Sequence, residues 1–153
     1  CKIQKHRVSF RRMWWTMLDV QVMDDLSQWN VVIVDDEPDN LGVVELVLQF
    51  HGAAVRTATS GADCLKLVEA QVPTVLLVDI QMPTMSGYEL LQVIRARDDW
   101  QTIPVIAVTA HALSEEREQI MNAGFSGYIG KPISVVTLVD EITRILARHT
   151  PRT

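Results

Sequence analysis

Short apolar runs alternate along this chain with longer stretches in which apolar residues recur at helical spacing. The runs are Val31–Val34, Val75–Val78, Val105–Val108 and Tyr128–Gly130. Each is too short for a helix, and the first three are rich in β-branched residues, so they read as buried strands. Ala54–Ala58 reads as a weaker second strand. Pro38 suits the first turn of a helix running to Phe50, with Gly52 as its stop. Leu41, Val44 and Leu48, flanked by Val43, Val47 and Phe50, predict a broad apolar face for it. Ser60 with Asp63 predicts the cap of a second helix ending near Ala70. Ser86 with Glu89 predicts the cap of a third. Ser114 ahead of Glu115 and Glu116 predicts the cap of a fourth, which Asn122-Ala-Gly124 stops. A last helix is expected over Ser134–Arg148. Pro73 and Pro104 punctuate the approaches to the third and fourth strands. Five strands in strict alternation with five helices predict an α/β sandwich around a parallel sheet.

Residues 1–30 stand outside this pattern. Phe10-Arg-Arg-Met-Trp-Trp15 is basic and aromatic, a composition that suits a membrane surface. The plainer expectation is a segment outside the functional domain, because the first strand begins only at Val31 and Met23 stands where a start is expected. The domain is therefore expected over 31–148, with 149–153 as a short tail and no output domain after it.

Length and composition change this picture little. The 153 residues suit one domain, and 48% hydrophobic with 22% charged content is ordinary for a globular chain. Charge is more informative. Residues 1–30 carry five Lys/Arg against three Asp, while the rest carries nine against sixteen Asp/Glu. So acidic a domain is a poor electrostatic partner for nucleic acid, and no direct nucleic-acid binding is expected. Cys1 and Cys64 form no disulfide framework, which fits a reducing, cytoplasmic setting. No apolar stretch approaches the roughly 20 residues of a transmembrane helix, and no signal peptide is visible.

The chemistry sits at the ends of the runs. Asp35 and Asp36 follow the first, Asp79 the third, Thr109 the fourth and Lys131 the fifth. In an open parallel sheet the carboxyl ends of the strands share one edge, where ligands bind. Singly, each residue has a bland reading: solvated turn acids, a strand-end cap, a surface lysine. Together they are more telling. Asp36 to Asp79 spans 43 residues, Asp79 to Thr109 spans 30, and Thr109 to Lys131 spans 22, gaps that match strand–helix units. Three carboxylates, a hydroxyl and an ammonium in one crevice describe a place for a divalent cation and a phosphoryl group. The histidines at 6, 51 and 149 show no partner spacing and are expected to be exposed. Cys64 reads as a small apolar residue and Met85 as packing. No Cys/His cluster points to zinc.

Val34-Asp-Asp-Glu37, Val78-Asp-Ile-Gln-Met-Pro-Thr-Met-Ser-Gly87, Val108-Thr-Ala-His111 and Tyr128-Ile-Gly-Lys-Pro132 resemble the receiver domain of two-component response regulators. The likeness is greatest to single-domain regulators and to receivers appended to hybrid histidine kinases. It implies a flavodoxin-like (βα)5 three-layer sandwich with parallel strand order 2-1-3-4-5. It implies Asp79 as phosphoacceptor, taking a phosphoryl group from a histidine kinase or histidine phosphotransferase. It implies Mg²⁺ held by Asp36, Asp79 and the Gln81 carbonyl, with Asp35 acting through water. Thr109 and Lys131 would bind the phosphoryl oxygens. Thr109 and Tyr128 would form the switch pair that biases the face of helix four, strand five and helix five toward a downstream protein target. Gln81 and His111 would stand at the mouth of the site and tune the phospho-Asp79 lifetime. A cis peptide is expected before Pro132.

Other readings have their own signatures. A fragment of a hybrid histidine kinase would place residues 1–30 in a linker. A haloacid-dehalogenase-type phosphatase also uses a strand-end Asp with Mg²⁺, but needs a second Asp where Gln81 stands. A signalling module, not an enzyme, is the expectation.

Overall fold

Val31–Val34 are all buried, as a strand covered on both faces requires. In the computed structural model, which describes residues 25–149, they lie in β1 (Asn30–Val34). There follow α1 (Pro38–Phe50), β2 (Ala54–Ala58), α2 (Gly61–Ala70), β3 (Val75–Asp79) and α3 (Gly87–Ala96). A 3-10 turn at Asp98–Trp100 then leads to β4 (Val105–Thr109), α4 (Ser114–Ala123), β5 (Gly127–Gly130) and α5 (Leu138–His149). Every strand pairing is parallel, in the order β2-β1-β3-β4-β5. This is the expected flavodoxin-like (βα)5 architecture. The readings of residues 1–24, including Phe10–Trp15, His6 and Met23, fall outside the described residues.

Strand side chains alternate between faces, and the alternation builds two cores. Val32, Val34, Leu76, Val78 and Ala107 meet Cys64 and Val68 of α2, Leu90 and Ile94 of α3 and Ile120 of α4. Val31, Ile33, Leu77, Ile106 and Val108 meet Leu41, Val44 and Leu48 of α1 and Leu138 and Ile142 of α5. Burying each such side chain stabilises the fold by about 1.5–3 kcal/mol. Packing also reaches back before β1. Leu26 is buried in the second core, and its N–H donates to the His51 carbonyl at 2.9 Å.

Two helix starts are as the spacing predicts. The Ser60 hydroxyl accepts from Asp63 N–H at 3.2 Å, and Ser86 with Glu89 forms a complete capping box. Two others differ. Leu113, not Ser114, is the N-cap of α4, and no side-chain bond closes it. Leu113 itself is extended, and its carbonyl accepts the first-turn Arg117 N–H at 2.9 Å. The last helix starts at Leu138 instead of Ser134. Val135 and Val136 are 59% and 74% exposed, so no packing offsets the poor helix propensity of this β-branched stretch.

The broad face predicted for α1 is narrower. Leu41, Val44, Val47 and Leu48 are buried, but Val43 and Phe50 are 42% and 81% exposed. His149 is half-buried, not free. Its Nε2 donates to the Thr102 carbonyl at 3.2 Å and its Nδ1 accepts from the Ser126 hydroxyl at 3.0 Å. The last turn of α5 carries the ring over the amino ends of β4 and β5. His51 is also half-buried, edge-on to Phe50.

Gly87 opens α3 where the chain returns against the end of β3. A Cβ there would lie 2.7 Å from the Asp79 carbonyl oxygen and 2.8 Å from Ile80 Cα, both backbone atoms. Gly87→Ala should therefore destabilise the protein by about 1–3 kcal/mol, the usual range for overpacking. Urea denaturation checks this; an unchanged midpoint would mean that the loop yields freely.

Candidate functional site

The direction of chain travel reverses between β1 and β3: α1 leads outward to β2, and the next unit returns to the other side of β1. A crevice forms beyond the carboxyl ends of two such strands. Asp35 and Asp36 leave β1 on its rim, and Asp79 ends β3. Thr109 ends β4, and Lys131 follows β5 directly. The Lys131–Pro132 peptide bond is cis, as expected. Gln81 lies on the loop from Ile80 to Ser86. That loop turns through Thr84, whose φ of 69° is left-handed and unfavourable for a β-branched residue.

The side chains converge. Oxygens of Asp35, Asp36 and Asp79 lie within 4.8 Å of one another. Lys131 Nζ is 3.3 Å from Asp79 Oδ1 and 3.4 Å from Asp35 Oδ2. Asp35 is buried and well held, accepting Glu37 N–H at 2.9 Å and the Asn40 amide at 3.2 Å. Asp79 is buried too and accepts Gln81 N–H at 3.2 Å. Asp36 is exposed, and no hydrogen bond or ion pair engages it among the described residues. A cavity of about 460 Å³ opens over this cluster, lined by Asp36, Glu37, Asn40, Asp79, Gln81 and Lys131.

Electrostatics follow from the geometry. Burial pushes the Asp79 carboxyl up to about 6, and the neighbouring Asp35 carboxylate adds to the rise against the pull of Lys131. Burial works against the Lys131 charge, but the Asp79 and Asp35 carboxylates outweigh it and raise that pKa. One ammonium thus faces three carboxylates. Hard oxygen donors with uncompensated negative charge fit an oxygen-seeking cation such as Mg²⁺.

Other expected residues lie farther from this centre. The Thr109 hydroxyl is buried but turned toward α4, donating to Glu116 Oε1 at 2.8 Å while accepting His111 N–H at 3.0 Å. Tyr128 is half-buried against the first core, with the Arg117 guanidinium 5.7 Å from its ring. His111 is exposed, and only its backbone engages Thr109. Three participants escaped the sequence reading. Glu37 and Asn40 line the cavity, and Glu116, which the sequence marks only as charge at a helix start, accepts the Thr109 hydroxyl. An acid following the Asp pair, with an amide three residues on at the first turn of α1, was the available signal for the first two.

The profile of the response regulator receiver domain family matches residues 31–143. Solved structures agree. CheY4, a chemotaxis response regulator of Vibrio cholerae, superposes with a TM-score of 0.73 at 26% identity, covering 76% of this chain and 98% of its own. The polar-differentiation response regulator DivK of Brucella anthropi is 34% identical over 76% of this chain and 95% of its own length. The sensor protein GacS of Pseudomonas syringae is 35% identical over 74% of this chain, which spans only 13% of that sensor. The chain belongs to the receiver domain family. Receiver domains are the signalling modules of two-component systems, taking phosphoryl groups from histidine kinases and binding Mg²⁺ at an acidic cluster. No helix among the described residues is long and apolar enough to cross a membrane.

The raised Asp79 pKa sets a pH dependence for the metal-free protein. Between the ordinary carboxyl value near 3.8 and about 6, the folded state holds a proton that the unfolded chain releases. That contribution to stability is full below the lower value and is lost as pH rises through about 6. Chelated protein should therefore melt a few degrees higher near pH 5 than near pH 7.5, and Asp79→Asn should flatten the difference. Melts of both proteins at the two pH values check this; a wild-type melting temperature that rises toward pH 7.5 while the variant stays flat contradicts it.

Proposed function

We propose that this receiver accepts a phosphoryl group on Asp79 from a phosphohistidine of a histidine kinase or histidine phosphotransferase. The observation that carries the reading is the buried Asp79 carboxylate 3.3 Å from Lys131 Nζ, within one crevice with Asp35 and Asp36. A carboxylate oxygen attacks phosphorus, the P–N bond of the donor breaks, and the imidazole leaves as the acyl phosphate forms. Asp36, Asp79 and the Gln81 carbonyl would hold Mg²⁺ directly, with Asp35 acting through water; the ion would neutralise charge on the transferring group. Lys131 contributes a point charge to the phosphoryl oxygens, and Thr109 a hydroxyl donor once it turns toward them.

The same turn supplies the output. Tyr128 moves into the space that Thr109 vacates, and the face made by α4, β5 and α5 changes for a downstream protein target. A groove of about 730 Å³ on that face, between Met121, Tyr128 and Arg144, supports the assignment. Gln81 at the cavity and His111 beside Thr109 would tune how long the phosphoryl group survives. A second reading, a receiver segment within a longer hybrid histidine kinase, draws support from the likeness to GacS.

Incubation with Mg²⁺ and acetyl phosphate, followed by intact mass, tests the chemistry. One phosphoryl group should be added in wild type and none in Asp79→Asn or in the presence of a chelator. Phosphorylation that persists in Asp79→Asn, or fails in wild type, would sink the assignment.

A further inference from the structure

Thr109 Oγ1 carries one proton, and that proton is committed to Glu116 Oε1 at 2.8 Å. A bond to a carboxylate is charge-assisted, roughly twice as strong as one between neutral groups. Thr109 is buried and Glu116 half-buried, so water competes weakly for either end. A second buried donor is unused. The Tyr88 hydroxyl, in the first turn of α3, is buried and has no hydrogen-bond partner. Burial, and then the charge of Glu116, push its pKa up, which places that charge within electrostatic reach of the phenol.

We propose that Glu116 is the positioning residue of the Thr109 switch: it withholds the hydroxyl from the phosphoryl site in the resting state and exchanges it for the Tyr88 hydroxyl on phosphorylation. The inference rests on the phosphoacceptor reading of Asp79. No covalent bond changes in the exchange. The Thr109 proton stays on Oγ1 and the Tyr88 proton on its phenol oxygen; only the acceptors differ. Without Tyr88, turning Thr109 toward a phosphoryl group would strand a half-buried carboxylate, a costly vacancy. With it, the carboxylate keeps a donor in both states, and the Tyr88 hydroxyl, unpartnered at rest, gains an acceptor in the phosphorylated one. Glu116 lies in the first turn of α4, and its neighbour Arg117 faces the Tyr128 ring, so the exchange also links the site to the second switch residue.

Beryllium trifluoride with Mg²⁺, which mimics an acyl phosphate, is the probe, and its affinity is read by fluorine NMR titration. Glu116→Gln keeps the shape but removes the charge, and should tighten adduct formation about tenfold, because the competing charge-assisted bond is weakened. Tyr88→Phe should loosen it about threefold, the worth of one ordinary hydrogen bond. Mg²⁺ affinity without fluoride should be unchanged in both. If Glu116 acts through Thr109, the effect of Glu116→Gln should vanish in a Thr109→Val background. A merely structural acid at the start of α4 would show the same effect in both backgrounds. Unchanged affinity in Glu116→Gln, or an equal change in the Thr109→Val background, overturns the inference and leaves the phosphoacceptor reading standing. Failure of wild type to form a Mg²⁺-dependent adduct overturns both.

Discussion

Crowded negative charge at the edge of a buried sheet is the constraint on which this molecule depends. Asp35 and Asp79 are almost completely buried, and Asp36 completes a triad within 4.8 Å. Unpaired buried carboxylates are expensive, and their mutual repulsion adds to the cost. The protein answers incompletely. Lys131 approaches both buried carboxylates, while the Glu37 N–H, the Asn40 amide and the Gln81 N–H donate to them. Burial, and after it the charge left over, raises the Asp79 pKa, and the crevice stays suited to a cation. A site tuned for stability would have been neutralised or made apolar; this one keeps an electrostatic debt that a metal ion and a phosphoryl group can settle together.

The fold exists to keep these groups at one edge. Only the parallel arrangement with β1 beside β3 brings Asp35 and Asp79 onto neighbouring strand ends. Much of this was legible in the sequence because it rests on local rules. Fully apolar runs of β-branched residues have few alternatives to central strands, and the polar residue that ends each run marks the edge. The Ser60 and Ser86 caps follow from hydroxyl-to-backbone bonds three residues apart. Such features need only near neighbours to be satisfied.

What stayed hidden depends on distant partners or on packing. Glu116 bonds Thr109 across the gap between α4 and β4, and no spacing rule links them. His149 finds Ser126 and Thr102 only once α5 has docked. Phe50 fits the helical period of α1 but falls beyond the stripe that the sheet can cover. Likewise the regular helix of α5 begins where buried contacts begin, at Leu138, and Ser134 only closes the turn before it, its carbonyl and hydroxyl accepting the Leu138 and Thr137 N–H groups at 3.0 and 3.4 Å. The switch machinery belongs to this class. Its resting state is a competition for one proton, and competitors are visible only in three dimensions.

Paramagnetic mapping tests the central claim most directly. Mn²⁺ replaces Mg²⁺ at oxygen sites and broadens amide NMR signals close to it. Titrated at substoichiometric levels into the metal-free protein, it should selectively erase the amides of Asp35, Asp36, Asp79 and Gln81, with Mg²⁺ in excess restoring them. Broadening spread over exposed acids such as Glu115 and Glu118, or centred away from the ends of β1 and β3, would contradict the account.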